Sequence, residues 1–314
     1  MAAYLVRRIL AVIPVMAVVV TIVFLLIHLI PGDPVSVMLG PDASPAQIQA
    51  TRAALGLDRP IHQQLVTFYA RVLRGDLGHS YYLDRPVTRA LAERAEPTIV
   101  LTLCALLVAM AIGVPSGIVA AAHRGSWWDR GLMLVSLLGV CIPGFWLSLN
   151  FIFLFAVRLG WLPAAGYASI LSEPRAALTY MVLPAVSLGF SQSALIARIA
   201  RSCMLDVLGQ DYIRTARAKG LHPRTVTYVH AFRNALVPVV AVIGITTAIL
   251  IGGAVVTEIV FNIPGLGRLV ITAILRRDYP VVQGVVLATA AVYVVINLMV
   301  DLLYAFIDPR IRYE

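Results

Sequence analysis

The most chemically pointed stretch of the chain runs from Arg198 to Arg233, where seven basic side chains stand against two acidic ones. At its centre Asp211-Tyr212-Ile213-Arg214-Thr215-Ala216-Arg217-Ala218-Lys219-Gly220 reads as a short helix. Asp211 complements the positive end of the helix dipole, Lys219 makes the last turn cationic, and Gly220 supplies the stop. Ala216, Ala218 and Gly220 are small enough to let a partner surface approach the backbone, and Arg214, Arg217 and Lys219 ring that contact with charge. Pro223 restarts a helix as its first-turn residue and carries it through Val226, Val229, His230 and Ala235 towards Pro238. Residue types alone leave two readings open: a docking surface, or a basic loop held against anionic lipid headgroups.

Bond-breaking chemistry has no comparable signature. Lys219 is the only lysine and precedes Gly220, the reverse of the Gly-Lys-Ser/Thr order of a phosphate-binding loop. There is no Gly-x-Ser-x-Gly elbow and no HExxH pair, so no catalytic residue is expected and the chain is not expected to be an enzyme by itself. Cys104, Cys141 and Cys203 lack a CxxC spacing, and the six histidines lack an i, i+4 pair, so no metal site is expected. A proton- or sodium-coupled carrier is the rival reading, but such carriers place ionisable residues deep in the bilayer. Here Glu258 and Asp301 sit near opposite ends of their apolar runs.

These residues must be positioned by elements that use lipid as solvent. Of 314 residues 60% are hydrophobic and only 13% charged, and the mean hydropathy is +0.87. That composition excludes a soluble domain of this size. The net charge of +9 lies at the ends of apolar segments and in loops without interleaved aromatics, which argues against a nucleic-acid partner and for the bilayer. The expectation is an all-α membrane protein with six transmembrane helices.

Arg7-Arg8 and the run Ile9 to Ile30 predict a retained first span, since 22 residues cover about 33 Å at ~1.5 Å per residue. Pro31 to about Glu96 is a polar segment with balanced charge. In it Ser44-Pro45-Ala46-Gln47 reads as a capping box, Gly56 as a stop, and a helix from Pro60 places Ile61, Leu65, Phe68, Tyr69 and Val72 on one face. A cap that receives a binding protein and a plain spacer are both open for this segment. Further spans are expected at Thr98 to Ala122, Gly131 to about Val157 with an interruption at Pro143-Gly144, Ala177 to Ile199, Leu236 to about Phe261, and Pro280 to Ile307. His123 to Arg130 is expected as a short basic turn with interfacial tryptophans, and Asn262 to Tyr279 as an external loop. The basic bias puts both termini and the Arg198–Arg233 island in the cytoplasm.

Polar atoms on a span should face other helices or water. Pro143, Pro184, Ser187, Ser191, Glu258 and Asn297 are therefore the candidate translocation path, with helix-gluing serines as the plainer alternative.

The order Arg214-Thr215-Ala216, Gly220 and Asn234-Ala235-Leu236-Val237-Pro238 resembles the EAA loop of binding-protein-dependent ABC importer permeases. Arg214 and Thr215 stand where that loop's name expects Glu and Ala, and the stretch from Gly220 to Pro238 is longer than usual. Tyr4-Leu5-Val6-Arg7-Arg8-Ile9-Leu10, Leu29-Ile30-Pro31-Gly32-Asp33-Pro34, Gly75-Asp76-Leu77-Gly78-His79-Ser80, Phe261-Asn262-Ile263-Pro264-Gly265-Leu266-Gly267-Arg268-Leu269 and Asp308-Pro309-Arg310-Ile311-Arg312-Tyr313 extend the resemblance from end to end, to the peptide/nickel branch of that family.

The resemblance implies a type I ABC importer permease. Its coupling loop, about 200–234, carries Asp211, Arg214, Thr215, Ala216, Arg217, Lys219 and Gly220. Residues 1–95 would form the first helix and an external helical segment, 96–307 the permease core and 308–314 a cytoplasmic tail. Implied partners are a second homologous permease subunit, two ATP-binding subunits that use ATP and Mg, and an extracellular or periplasmic solute-binding protein at the cytoplasmic membrane of a prokaryote. Implied cargo is di- or oligopeptides or glutathione-like solutes, with nickel or opines as alternatives.

Overall fold

In lipid each backbone amide and carbonyl must be satisfied within its own segment, so apolar runs of this length become helices. The computed structural model describes residues 2–29, 34–39, 43–54 and 56–307. In order these form α1 (Ala2–Leu29), α2 (Pro34–Leu39), α3 (Pro45–Ala54), α4 (Ile61–Leu73), a two-stranded hairpin of β1 (His79–Ser80) and β2 (Arg85–Pro86), α5 (Val87–Ala122), α6 (Trp127–Cys141) and α7 (Gly144–Phe151). There follow a π-helical turn at Ile152–Arg158, α8 (Pro174–Leu208), α9 (Asp211–Ala218), a second π-helical turn at Thr225–Ala231, α10 (Phe232–Val260), α11 (Leu266–Leu275) and α12 (Tyr279–Ile307).

Among the described residues five helices are long and apolar enough to cross a membrane: α1, α5, α8, α10 with its π turn, and α12. The sixth apolar stretch, α6 and α7, is bent by 102° at its break. The expected interruption at Pro143-Gly144 is thus a sharp corner: Ile142 has left the helix and Pro143 caps the next one.

Several expected boundaries shift. The second span starts at Val87 rather than Thr98, because Pro97 lies inside α5. Trp127 and Trp128 form the first turn of α6, not a connecting turn, because Ser126 caps it, its hydroxyl accepting the Asp129 amide at 3.3 Å. The span expected at Ala177 to Ile199 runs on to Leu208, so that Arg201 also belongs to α8. The span expected from Leu236 is continuous back to Pro223. The expected loop from Asn262 to Tyr279 contains α11. Residues 308–314, including the expected tail motif, lie outside the described residues.

The chain divides into two compact units, residues 97–267 with those from 295 onward, and residues 2–96 with 268–294. In the first, or core unit, α5 and α8 touch backbone to backbone. A methyl group added at Gly113 would lie 2.7 Å from the Ser193 carbonyl oxygen, at Gly117 2.6 Å from that of Ala197, and at Gly189 2.5 Å from that of Ala105. Gly113 and Gly117 form a G-x-x-x-G pair, the spacing that lets membrane helices approach where lipid removes the hydrophobic drive between them. Above the crossing Leu101, Ala105, Met181, Leu250, Phe261 and Ile263 pack together. Asp129 of α6 receives both Nε and Nη2 of Arg201 on α8, at 2.6 and 2.7 Å, and the Gly125 amide at 2.9 Å. Its side chain is nearly buried.

In the second unit α4 lies on α1. Tyr69 donates its hydroxyl to the Ala17 carbonyl at 2.6 Å, and Phe68, Tyr69 and Val72 cover Val20, Val23 and Leu287. Ile61, expected on that face, is half exposed, because it opens the helix and overhangs the contact. The capping box before α3 forms as expected, with Gln47 Oε1 accepting the Ser44 amide at 2.9 Å and Ser44 Oγ accepting the Gln47 amide at 3.3 Å. Asp278 pins the hairpin by accepting from the Ser80 hydroxyl and from the Tyr82 amide.

Two consequences are measurable by thermal melting of the detergent-solubilised protein. Gly189→Val is expected to destabilise the core by about 1–3 kcal/mol or to prevent folding, whereas Gly131→Val, with nothing within 4 Å of the added carbon, should melt like wild type. Asp129→Ala strands the Arg201 guanidinium and should cost roughly 3 kcal/mol, and Asp129→Ala/Arg201→Ala together should recover part of that loss.

Candidate functional site

Two features of the core unit hold most of the candidate functional residues. The first is α9. Asp211 opens it and accepts from Arg214 Nη1 at 3.3 Å, an exposed pair that contributes little by itself. The helix ends as expected. Gly220 has φ +76, the left-handed conformation that glycine takes without strain, and donates its amide to the Arg217 carbonyl at 2.9 Å. Thr215 turns its hydroxyl onto the Asp211 carbonyl at 3.0 Å.

Ile213 and Ala216, three residues apart, form the apolar side of α9. They are buried against Ile118 and Ala121 of α5, Met204 of α8, Val226 and Ala231 of the second π turn, and Ala235 of α10. Ala216, expected at the partner surface, is therefore packed into the chain's own core, because helical spacing puts it on the same stripe as Ile213. Arg214, Arg217, Lys219 and Gly220 stay exposed, and open space surrounds Gly220. The arrangement is a short basic helix fastened by one side to the ends of three long helices.

The second feature is a cavity of about 570 Å³ between the α6–α7 corner, α8 and α10. Pro143, Gly144 and Phe145 line it at the corner, Ser191, Gln192, Leu195 and Arg198 along α8, and Ile249, Gly253, Val256 and Thr257 along α10. Of the expected path residues the structure brings Pro143 and Ser191 to this cavity and leaves the others elsewhere. Pro184 and Ser187 are buried. Ser187 donates to the Pro184 carbonyl at 3.0 Å and receives the Ser148 hydroxyl at 3.1 Å, which ties α7 to α8. Asn297 is half-buried on α12 and does not line the cavity.

Glu258 is fully buried. It accepts from Thr98 Oγ1 at 2.6 Å, and the same oxygen accepts the Leu266 amide at 2.8 Å. A side chain on Gly265 would meet the Glu258 carboxylate within 2.2 to 2.5 Å. The acid is thus a fastener for the Phe261–Gly267 turn, which explains why glycines sit there.

Gln192, Arg198 and Thr257 are cavity residues that were not among the expected path. The signal for Arg198 was present as helical spacing: Ser191, Leu195 and Arg198 stand at i, i+4 and i+7. The second unit holds a cavity of its own, about 290 Å³, lined by Phe24, His28, Arg59, Arg71, Tyr81 and Gln283 among others.

Comparison with known proteins places these features in a family. The family model described as binding-protein-dependent transport system inner membrane component matches residues 113–313, and its N-terminal companion matches residues 1–102. A Brucella abortus protein named as a candidate peptide transport system permease is 47% identical over 314 residues, covering all of both chains. The glutathione transport system permease protein GsiC of Pectobacterium atrosepticum is 43% identical over 311 residues, 99% of each chain. In fold, a chain of the MetNI methionine ABC transporter in an inward-facing conformation matches with a TM-score of 0.59 at 19% identity, covering 69% of this chain and 96% of that one. A multi-pass, all-α membrane protein with this core and this match from end to end belongs to the family of inner membrane components of binding-protein-dependent transport systems.

Proposed function

We propose that this chain is the pore-forming subunit of an ATP-driven importer of di- and oligopeptides or of glutathione-like small peptides, and that α9 is its coupling helix. The observation that carries this reading is the seating of α9. Its apolar side is bolted into the ends of α5, α8 and α10, while Arg214, Arg217 and Lys219 are exposed to another protein. A push on such a helix is delivered to three spans at once as a rigid-body movement. The cargo class follows from relatives named for peptide and glutathione transport at 47% and 43% identity.

The chain carries no phosphate-binding loop, so ATP and Mg belong to two partner ATPases that dock on α9. A second, homologous permease subunit completes the pore, and a solute-binding protein delivers cargo from outside. Both termini and α9 face the cytoplasm, where the positive-inside bias puts the basic residues of the N-terminus, the His123–Arg130 segment and the α9 region. The α6–α7 corner, α8 and α10 then line the path from Pro143 down to Arg198.

Arg214→Glu/Arg217→Glu/Lys219→Glu is expected to reduce uptake of a labelled dipeptide to background and to abolish co-purification of the ATPase. Insertion into the membrane should be unchanged, since all three side chains are exposed. Gly220→Asp should likewise uncouple ATP hydrolysis from transport. Unchanged uptake in both variants would remove α9 as the coupling element.

A further inference from the structure

We propose that Arg198 is a specificity-determining residue that receives the carboxylate of the transported solute in the core cavity, so that the cargo is peptides with a free C-terminal carboxylate. This rests on the peptide-importer reading above.

Among the described residues Arg198 is the only charged one lining the 570 Å³ cavity, whose volume lies within the roughly 300–1,000 Å³ of small-molecule sites. Its situation contrasts with that of Arg201 on the next turn of α8. Arg201 is neutralised by Asp129 in a two-point contact, whereas Arg198 is exposed and has no ion-pair or hydrogen-bond partner among the described residues. An exposed cation within a membrane span needs water or an anion beside it, and the open cavity gives an anionic solute access to Arg198.

The chemistry of the lining says which anion fits. A guanidinium offers two parallel N–H donors that match the two oxygens of a carboxylate. Gln192 and Ser191 stand six and seven residues, just under two turns, before it on α8, adding neutral hydrogen-bonding groups, and Thr257 adds one from α10. The rest of the wall is apolar, with Phe145, Leu195, Ile249 and Val256. Such a wall accepts side chains of many shapes, while the cation reads the anionic group that every unmodified peptide carries, its C-terminal carboxylate. The site therefore tolerates sequence and selects for the chain end.

The test uses the complete transporter, with its ATPases, second permease and binding protein, in proteoliposomes. Uptake of trialanine is compared with that of its C-terminal amide, for wild type, Arg198→Gln and Arg198→Lys. Wild type is expected to favour the acid. Arg198→Gln should lower acid uptake by about ten- to a hundredfold, the weight of one charge-assisted hydrogen bond, with amide uptake and ATPase association kept. Arg198→Lys should retain part of the preference.

An acid-to-amide ratio unchanged in Arg198→Gln overturns the inference, since the discrimination would then lie in another component. Equal loss of both substrates in Arg198→Gln also overturns it, and assigns Arg198 to pairing with a neighbouring subunit or lipid phosphate. Wild type that imports neither form overturns the peptide reading, and this inference with it.

Discussion

Lipid gives two apolar helices no reason to associate, so the core depends on a contact made by removing side chains. Gly113 and Gly117 on α5 and Gly189 on α8 let the two backbones touch. Much else is registered on that crossing. Directly after Gly117 comes Ile118 and one turn on Ala121, and about two turns beyond Ala197 comes Met204; these residues seat Ile213 and Ala216 of α9. The Asp129–Arg201 pair locks α6 onto α8 at the same level. Further along α8, Ser187 holds α7 through Ser148, so that the corner at Pro143 faces Ser191 across the cavity. A helix of 35 residues such as α8 spans about 52 Å at ~1.5 Å per residue, longer than the hydrocarbon core, and its overhang is where α9 attaches.

Polar residues inside the apolar runs divide into two kinds by what they touch. Glu258, Thr98, Ser148 and Ser187 are buried and paired with one another or with backbone, and they act as fasteners. Ser191, Gln192, Arg198 and Thr257 line the cavity instead, although Thr257 is nearly buried and the Ser191 hydroxyl also donates to the Ser187 carbonyl at 3.4 Å. Residue type does not separate the two groups. Glu258 and Arg198 are both charged residues of spans, yet one holds a turn in place and the other lines a cavity.

That division also marks what was legible in the sequence. The apolar runs, the start of α9 at Asp211, its end at Gly220, the restart at Pro223 and the Ser44–Gln47 box were all readable, because each is a local rule about backbone or dipole. The start of α5 at Val87 was hidden behind a charged first turn and Pro97. The 102° corner was readable as a break but not as an angle, which depends on what packs on both sides. The role of Glu258 was not readable, since its partner Thr98 lies 160 residues away. Arg198 lay within the expected span yet was counted with the basic island, because a charge count along the chain ignores which side of a helix each charge occupies.

The wide turn at Thr225–Ala231 stands between the basic helix and the long span that follows it. A π turn holds one more residue than the α-helical turn it replaces, and in a helix of 3.6 residues per turn each residue is worth about 100° of rotation. The turn therefore sets the angular phase between the face of α10 that meets the cavity and the seat of α9, like the offset between two lobes on one camshaft. Loss or gain of a single residue there leaves every helix intact and hydrophobic, yet points Ile249, Gly253 and Thr257 away from the cavity. This short segment is accordingly far less forgiving of length changes than of substitutions, the inverse of what its place at the end of a surface connection suggests.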